Sequence, residues 1–359
     1  MADTESIRLP LTRHLGLTAA VVLTLPHPGA ARSEACGLDR AFTAQTVAAL
    51  ADVVEREYFA PETASRVAQA LRAAQAQGRY HGAATLAELA KALTRDLQAE
   101  SSDKHLAVAV VRVAPGTSNA SGADAERAAR GRRENFGVRH VEILAGNVGY
   151  LDIRAFYRPE EARDTICAAM RTLRHADALI LDLRWNGGGS PGTVALLASY
   201  LLDEPGLPLF SVVPRSGRDA RVYATDVPAP PERDAARPVF ALTAAGTFSA
   251  GEGLAFLLQE RQRLEVVGER TAGAANPGRP YPLNERLEAT VPNGRVASAV
   301  SGRNWEGRGV APDVAVAAAQ SLRVAHARAL RELLRRPATE AWRQTLRQAL
   351  ADLEADPSR

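Results

Sequence analysis

The sequence predicts an α/β fold, a sheet with parallel strands and helices on its faces, preceded by an N-terminal helical bundle. Three observations carry that prediction. Apolar residues recur at three- and four-residue spacing between Thr43 and Leu97, the period of amphipathic helices. From Val148 onward, short apolar runs alternate with helical patterns, as they do where crossover helices connect parallel strands. The run Leu179-Ile180-Leu181-Asp182-Leu183-Arg184 breaks into Trp185-Asn186 and three consecutive glycines, Gly187, Gly188 and Gly189. It reads as a buried strand delivering its C-terminal end to a loop whose backbone approaches something closely.

The leader comes first. Arg8 and Arg13 precede the apolar run Leu15 to Leu25, and Pro26, Pro28 and Gly29-Ala30-Ala31 follow. That run is too short to span a bilayer, and its small-residue end fits a signal-peptidase site, so residues 1–31 are expected to be an export signal. The product would be periplasmic or secreted, with no stable membrane insertion. Cys36 and Cys167 permit one disulfide after export, although Cys167 lies in a helical pattern and fits as a small packed residue.

The apolar series Val47, Leu50, Val54, then Val67, Leu71, then Leu86, Leu89, Leu93, Leu97 predicts three or four short helices, with Pro61 opening one and Gly78 closing another. Leu106 to Val113 reads as a strand, so residues 40–113 form the helical domain and first strand. Residues 114–135 are polar, rich in Gly, Ser, Ala and Arg, and aperiodic, and are read as a loop. Residues 136–320 form the α/β core. Strands His140–Leu144 and Val148–Ile153 meet at Gly146-Asn147, and a helix spans Arg158–His175 before the glycine-loop strand. A helix over Thr193–Leu201, a short strand at Phe210–Val213 and a proline-rich loop at 228–238 follow. Phe240 to Thr243 is a further strand, leading through Ala244-Ala245-Gly246-Thr247-Phe248-Ser249 to the apolar helix Leu254–Leu258. Residues 321–359 hold two amphipathic helices, Leu322–Leu334 and Ala341–Leu353.

The 359 residues, 46% of them hydrophobic, suffice for more than one domain. A net charge of +3 without charge runs gives no footprint for nucleic acid. Oligomeric state is not legible. Lysine occurs only at Lys91 and Lys104. No HExxH or clustered Cys/His is present, so neither a metal nor another cofactor is implied.

Ser249 is the first chemical candidate. Ser249-Ala250-Gly251-Glu252 matches a capping box, and a serine at a helix start also gains as a nucleophile from the N-terminal dipole. The glycine loop is a tight turn, or a source of bare N–H groups for an oxyanion. No Lys-Ser or Lys-Thr follows it, which disfavours a phosphate loop. Asp182 and Arg184 read as structural. His105, in Ser101-Ser102-Asp103-Lys104-His105, stands at the entry to a strand. Glu269 and Glu306 lie in turn-rich segments, and either could orient a histidine; Asn186 is a further supporting candidate within the glycine motif.

Together these motifs resemble the C-terminal processing (tail-specific) serine peptidases, in the branch of bacterial relatives of interphotoreceptor retinoid-binding protein. The resemblance runs through Glu57-Tyr58, Gly78-x-Tyr80, Asp103-x-His105-Leu106, Val148-Gly149-Tyr150-Leu151 and Leu181-Asp182-Leu183-Arg184-x-Asn186-Gly187-Gly188-Gly189. It continues through Thr247-x-Ser249-Ala250, Gly268-Glu269-x-Thr271-x-Gly273 and Gly309-Val310-x-Pro312-Asp313. It implies a ClpP/crotonase-like core behind a helical domain. Two features depart from the family pattern. The loop after the first strand is too short for a PDZ domain, and Ala274 stands where the family's serine–lysine dyad has its lysine.

The related tricorn-type core implies a different set: Ser249 as nucleophile, His105 as base, Glu306 as orienting carboxylate, and the N–H groups of Gly188 and Ala250 as oxyanion donors. The expected activity is hydrolysis of peptides or unfolded proteins by an exported serine peptidase. The alternative is a binding protein for apolar ligands of the retinoid or fatty-acid kind, motivated by the missing lysine.

Overall fold

The computed structural model describes residues 38–111 and 120–355, without the side chains of residues 120–124. The expected leader and Cys36 lie outside the described residues. Helices α1 (Arg40–Glu57), α2 (Pro61–Ala76) and α3 (Leu86–Ser101) come first. Asp39 caps α1 by accepting the Ala41 N–H, Pro61 starts α2, and Thr85 accepts the Glu88 N–H at the start of α3. The predicted apolar stripes meet in one core, where Leu50, Val54, Val67, Leu89, Leu93 and Leu97 are fully buried.

Strand β1 (Ala107–Val110) leads out of this bundle, and α4 (Ala120–Arg133) follows. Residues 120–133 were expected to be loop; they are helix. Their alanines, arginines and glutamates are strong helix formers, and Arg130 pairs with Glu134 one turn on. The segment carries almost no apolar periodicity, and periodicity was the signal used to recognise helices.

The remaining elements are β2 (Val138–Leu144), β3 (Val148–Ile153), α5 (Pro159–Thr172), β4 (Ala178–Asp182), α6 (Pro191–Ser199), β5 (Pro208–Pro214), β6 (Arg221–Ala224), β7 (Val239–Thr243) and α7 (Ala250–Gln259). Then come β8 (Glu265–Gly268), β9 (Gly278–Pro282), β10 (Leu287–Pro292), β11 (Gly294–Ser298), β12 (Val314–Ala315), α8 (Ala318–Arg335) and α9 (Glu340–Ala355). The main sheet has the order β12-β8-β7-β4-β3-β2. Its strands are parallel except β2, which returns against β3 through the expected hairpin. Helices α5 to α7 cover one face, burying Leu151, Leu181, Leu197 and Leu254, while α8 and α9 cover the other over Val148, Ile180, Phe240 and Leu330. Cys167 is a free thiol that accepts the Tyr200 hydroxyl proton at 2.9 Å.

One feature departs from the expected division into a helical domain and a continuous core over 136–320. Strand β10 leaves the core and pairs antiparallel with β1 on one side and β9 on the other. Its Leu287, Ala289 and Val291 are fully buried against the helical bundle. Two widely separated stretches of chain therefore build one hydrophobic core. The turn-forming residues Gly278, Pro280, Pro282 and Pro292 hid these short strands from a sequence reading. Strands β11, β5 and β6 form a third small sheet.

Candidate active site

The C-terminal ends of β4, β7 and β8 lie side by side, with Asp182 opposite Leu242 and Thr243 opposite Gly268. Ligand sites in parallel sheets gather at this edge. At Asp182, a carboxylate buried to 1% exposure accepts from Arg184 Nη2 (2.6 Å) and the Tyr150 hydroxyl (2.6 Å). Arg184 also donates to Ala318 O. The charged pair therefore ties strand, loop and α8 together, the structural role expected of it.

Ser249 stands between β7 and α7 with φ 53° and ψ −122°. This is a strained backbone for a residue with a Cβ, of the kind that holds a nucleophile out on a strand-to-helix elbow. The elbow is braced by Glu252, which is completely buried and accepts from Ser249 N–H (2.8 Å), Thr271 Oγ1 (2.6 Å), Gly273 N–H (2.6 Å) and Ala274 N–H (2.9 Å). The expected capping interaction is present, then, but its carboxylate also gathers the Thr271–Ala274 segment onto the start of α7. Burial pushes this carboxyl up, and its four donors oppose the shift.

His105 arrives from the helical side. After α3, Ser102 turns left-handed (φ 59°), and Asp103 Oδ1 accepts the His105 N–H at 2.9 Å. The imidazole lies against the Phe248 ring, with centroids 4.9 Å apart, and its Nε2 is 3.0 Å from Ser249 Oγ. Burial alone pushes its pKa down to about 4, so the ring is neutral at pH 7.

Glu306 also lies close to the ring. Its Oε2 accepts the Ala275 and Asn276 N–H groups at 2.7 and 3.0 Å. Its Oε1 and the His105 Nδ1 are both buried without a hydrogen-bond partner. One carboxylate oxygen each from Asp103 and Glu306 and one His105 ring nitrogen lie within 4.8 Å of one another. Burial, together with the negative charge of Asp103, pushes Glu306 up to about 7.

The other expected site residues fall into place differently. Asn186 is fully buried; its amide donates to Ile153 O (2.8 Å) and its Oδ1 accepts the Gly188 N–H (2.8 Å). The Gly188 N–H is therefore engaged inside the loop. The N–H groups of Gly189 and Ala250 have no partner among the described residues. Gly188 has φ +89°, and a Cβ there would come within 2.7 Å of Ser249 Cβ. Glu269 is not at the imidazole: it accepts the Ala245 and Ala318 N–H groups, at 3.2 and 3.0 Å, at the start of α8.

Ala274 is buried, and its carbonyl accepts the Trp305 indole N–H (2.9 Å). Lys104, distant from this motif in sequence, donates its Nζ to Ala272 O at 2.5 Å. Beside Ser249 is an apolar cavity of ≈ 220 Å³, bounded by Val194, Phe210, Leu257, Val296 and Trp305.

The sequence reading missed Asp103 as a component of the site. Its signal was the position two residues before His105, where an aspartate closes a turn on the histidine's own N–H.

Comparison with known proteins agrees with this architecture. Residues 147–316 match peptidase family S41, and residues 38–132 match the N-terminal domain of that family in eukaryotic IRBP. The chain is similar to the carboxy-terminal processing protease CtpB of Bacillus subtilis (strain 168), 25% identical over 185 residues that span 49% of this chain and 35% of that protein. It is also similar to the chloroplastic carboxyl-terminal-processing peptidase 2 of Arabidopsis thaliana. There, 34% identity extends over 128 residues, 35% of this chain and 24% of the relative. The chain thus spans about a third and a quarter of the length of these relatives.

Two solved structures share the fold at TM-score 0.50. A lipoprotein from Streptococcus agalactiae is 16% identical, covering 81% of this chain and 96% of that one. The tricorn protease is 14% identical, covering 88% of this chain and 37% of that one. With the helical part and the α/β core each matched in order, the chain is similar to peptidase family S41 over both.

Proposed function

We propose that this protein is an exported serine peptidase that cleaves peptide bonds with Ser249 as nucleophile, His105 as general base and Glu306 as the carboxylate that orients the imidazole. The observation that carries the reading is the 3.0 Å approach of His105 Nε2 to Ser249 Oγ, made by residues 144 positions apart. With the hydroxyl donating to Nε2, the ring proton sits on Nδ1, and Glu306 Oε1, likewise unpartnered, is the acceptor assigned to it. Ser249 Oγ then bonds the scissile carbonyl carbon, its proton passes to Nε2, and the carbonyl electrons move onto the oxygen. The free N–H groups of Ala250 and Gly189 suit that oxyanion; Gly188 supports the loop by its contact with Asn186. His105 then returns the proton to the leaving amine, and water releases the acyl group by the same route.

The lysine-free assignment is supported by a neutral buried imidazole and by Lys104 being engaged at Ala272 O. A peptide would place a small or medium apolar side chain in the ≈ 220 Å³ cavity beside Ser249, which carries no charged group. That space is smaller than the roughly 300–1,000 Å³ of typical small-molecule sites, so this cavity suits a peptide side chain and not a whole retinoid or fatty acid. No helix among the described residues is long and apolar enough to cross a membrane. Export rests on the leader sequence, and N-terminal sequencing of the protein recovered from outside the cytoplasm checks it.

The test of activity is turnover of an unstructured peptide pool beside a Ser249→Ala control. Cleavage by the parent alone, at bonds following apolar residues, is the expected outcome. Equal cleavage by the variant removes Ser249 from the mechanism.

A further inference from the structure

Two carboxylates, Asp103 and Glu306, lie close to His105, and the orienting Glu306 accounts for only one of them. Asp103 is 1% exposed and pairs with no arginine or lysine among the described residues. Its Oδ1 lies 3.9 Å from His105 Nδ1 and accepts the histidine's own N–H. Its Oδ2 accepts the Tyr58 hydroxyl at 3.0 Å, and the Asn276 side chain donates to the same carboxylate. Tyr58 is the residue that caps α1, and Arg215 Nη1 fixes its carbonyl at 2.8 Å. A buried carboxylate without a cation is costly: burial pushes the Asp103 carboxyl up, and the hydrogen bonds from Tyr58, Asn276 and the His105 and Leu106 N–H groups oppose that shift.

We propose that Asp103 is a second, fixed negative charge on the Nδ1 side of His105, a positioning residue locked by Tyr58 of the helical domain. Its charge stabilises the imidazolium that forms as Ser249 attacks. This rests on the Ser249–His105 reading and extends it.

The two carboxylates divide the work by their hydrogen bonds. Asp103 has donors on both oxygens, so it holds charge but has little freedom to accept Nδ1–H. Glu306 has one oxygen free, so it accepts Nδ1–H once ionised. Two carboxylates this close titrate as a pair, and the shared proton rests on Glu306, whose pKa is held up to about 7 by burial and by Asp103. The other titratable groups bearing on the pair are His105, Tyr58 and, through Glu306, the more distant Glu252. Arg66 acts only on Tyr58, and Lys104 is turned to Ala272 O. Because the ring is already neutral above about pH 4, the ionisation of Glu306 sets the limb near neutrality, and activity rises with pH through about 7.

The experiment uses a fluorophosphonate probe, which needs no known substrate. Ser249 Oγ bonds phosphorus, fluoride leaves, and the proton passes to His105. Labelling rates of the full chain are measured between pH 5 and 9 for the parent, Asp103→Asn, Tyr58→Phe and Glu306→Gln, with Ser249→Ala as the site control. Asp103→Asn is expected to lower the plateau roughly ten- to a hundredfold. It also moves the midpoint about one pH unit to lower pH, because Glu306 loses its negative neighbour. Tyr58→Phe weakens the hold on the Asp103 charge and moves the midpoint the other way, by a smaller amount. Glu306→Gln removes the limb near pH 7.

A lowered plateau with an unmoved midpoint in Asp103→Asn overturns the proposal, leaving Asp103 a merely structural residue. If that variant does not fold, Tyr58→Phe decides by the sign of its shift, and an unmoved midpoint there likewise overturns it. Absence of labelling at Ser249 in the parent at every pH sinks the nucleophile assignment itself, a separate outcome.

Discussion

Ser249 and His105 reach the same point on two unlike supports. The serine is set by backbone: a strained residue between β7 and α7, bound through its own N–H to Glu252 and closed in by Gly188. The histidine is set by side chains: Asp103 beneath it, Phe248 against its ring, Glu306 close to it and Tyr58 behind Asp103. A backbone support fixes position, and its one carboxylate, Glu252, is held by four donors. A side-chain support can be retuned by one proton or one substitution. Ser249 is therefore the rigid half of the pair and His105 the adjustable half.

Removing either reactive atom breaks the comparison most completely. Ser249→Ala and His105→Gln each lower turnover about 10⁴-fold, as loss of members of such a catalytic set does, while circular dichroism stays that of the parent. Next is the rigid half. Gly188→Ala forces a Cβ to within 2.7 Å of Ser249 Cβ at φ +89°, and a displacement of about an ångström costs roughly a hundredfold in rate. Rate measurement beside a melting curve separates this from unfolding.

Glu252→Gln turns an acceptor of four hydrogen bonds partly into a donor aimed at donors. It is expected to destabilise the protein by about 2 kcal/mol, read from the urea midpoint, and to slow turnover. The smallest effect belongs to Lys104→Met. A lysine whose contact is a carbonyl, Ala272 O, is not the base, so turnover changes less than about twofold. A drop comparable to that of His105→Gln instead restores a serine–lysine mechanism.

The same contrast governs how much was legible in the sequence. Elements with an apolar period were readable: α1 to α3, the β2–β3 hairpin, β4, and the helices α8 and α9. The Thr247–Ala250 elbow was readable because strand, serine and helix follow one another locally. Helix α4 was not, because it is built on alanine and charged residues instead of an apolar stripe. Strands β9 to β11 were not, because prolines and glycines masked them and because β10 and β11 also pair with strands far away in sequence.

At the site, residue types and order singled out Ser249, His105 and Glu306, and the fold brings their neighbourhoods together. The placement of Asn186 and Glu269 depended on which carbonyls and N–H groups happened to face them, which no spacing encodes. Asp103 was visible as a turn residue, but its role depends on Tyr58 and Glu306, contributed from either side of it in sequence.

The pairing of β1 with β10 has a consequence for when this protein can first act. The turn that holds His105 runs directly into β1, and β1 docks on residues 287–290. A chain emerging from the ribosome N-terminus first carries its histidine early, its serine more than a hundred residues later, and the docking strand later still. Glu306 comes after all of them. The nascent polypeptide thus passes most of its synthesis before the proposed Ser249–His105–Glu306 centre can assemble.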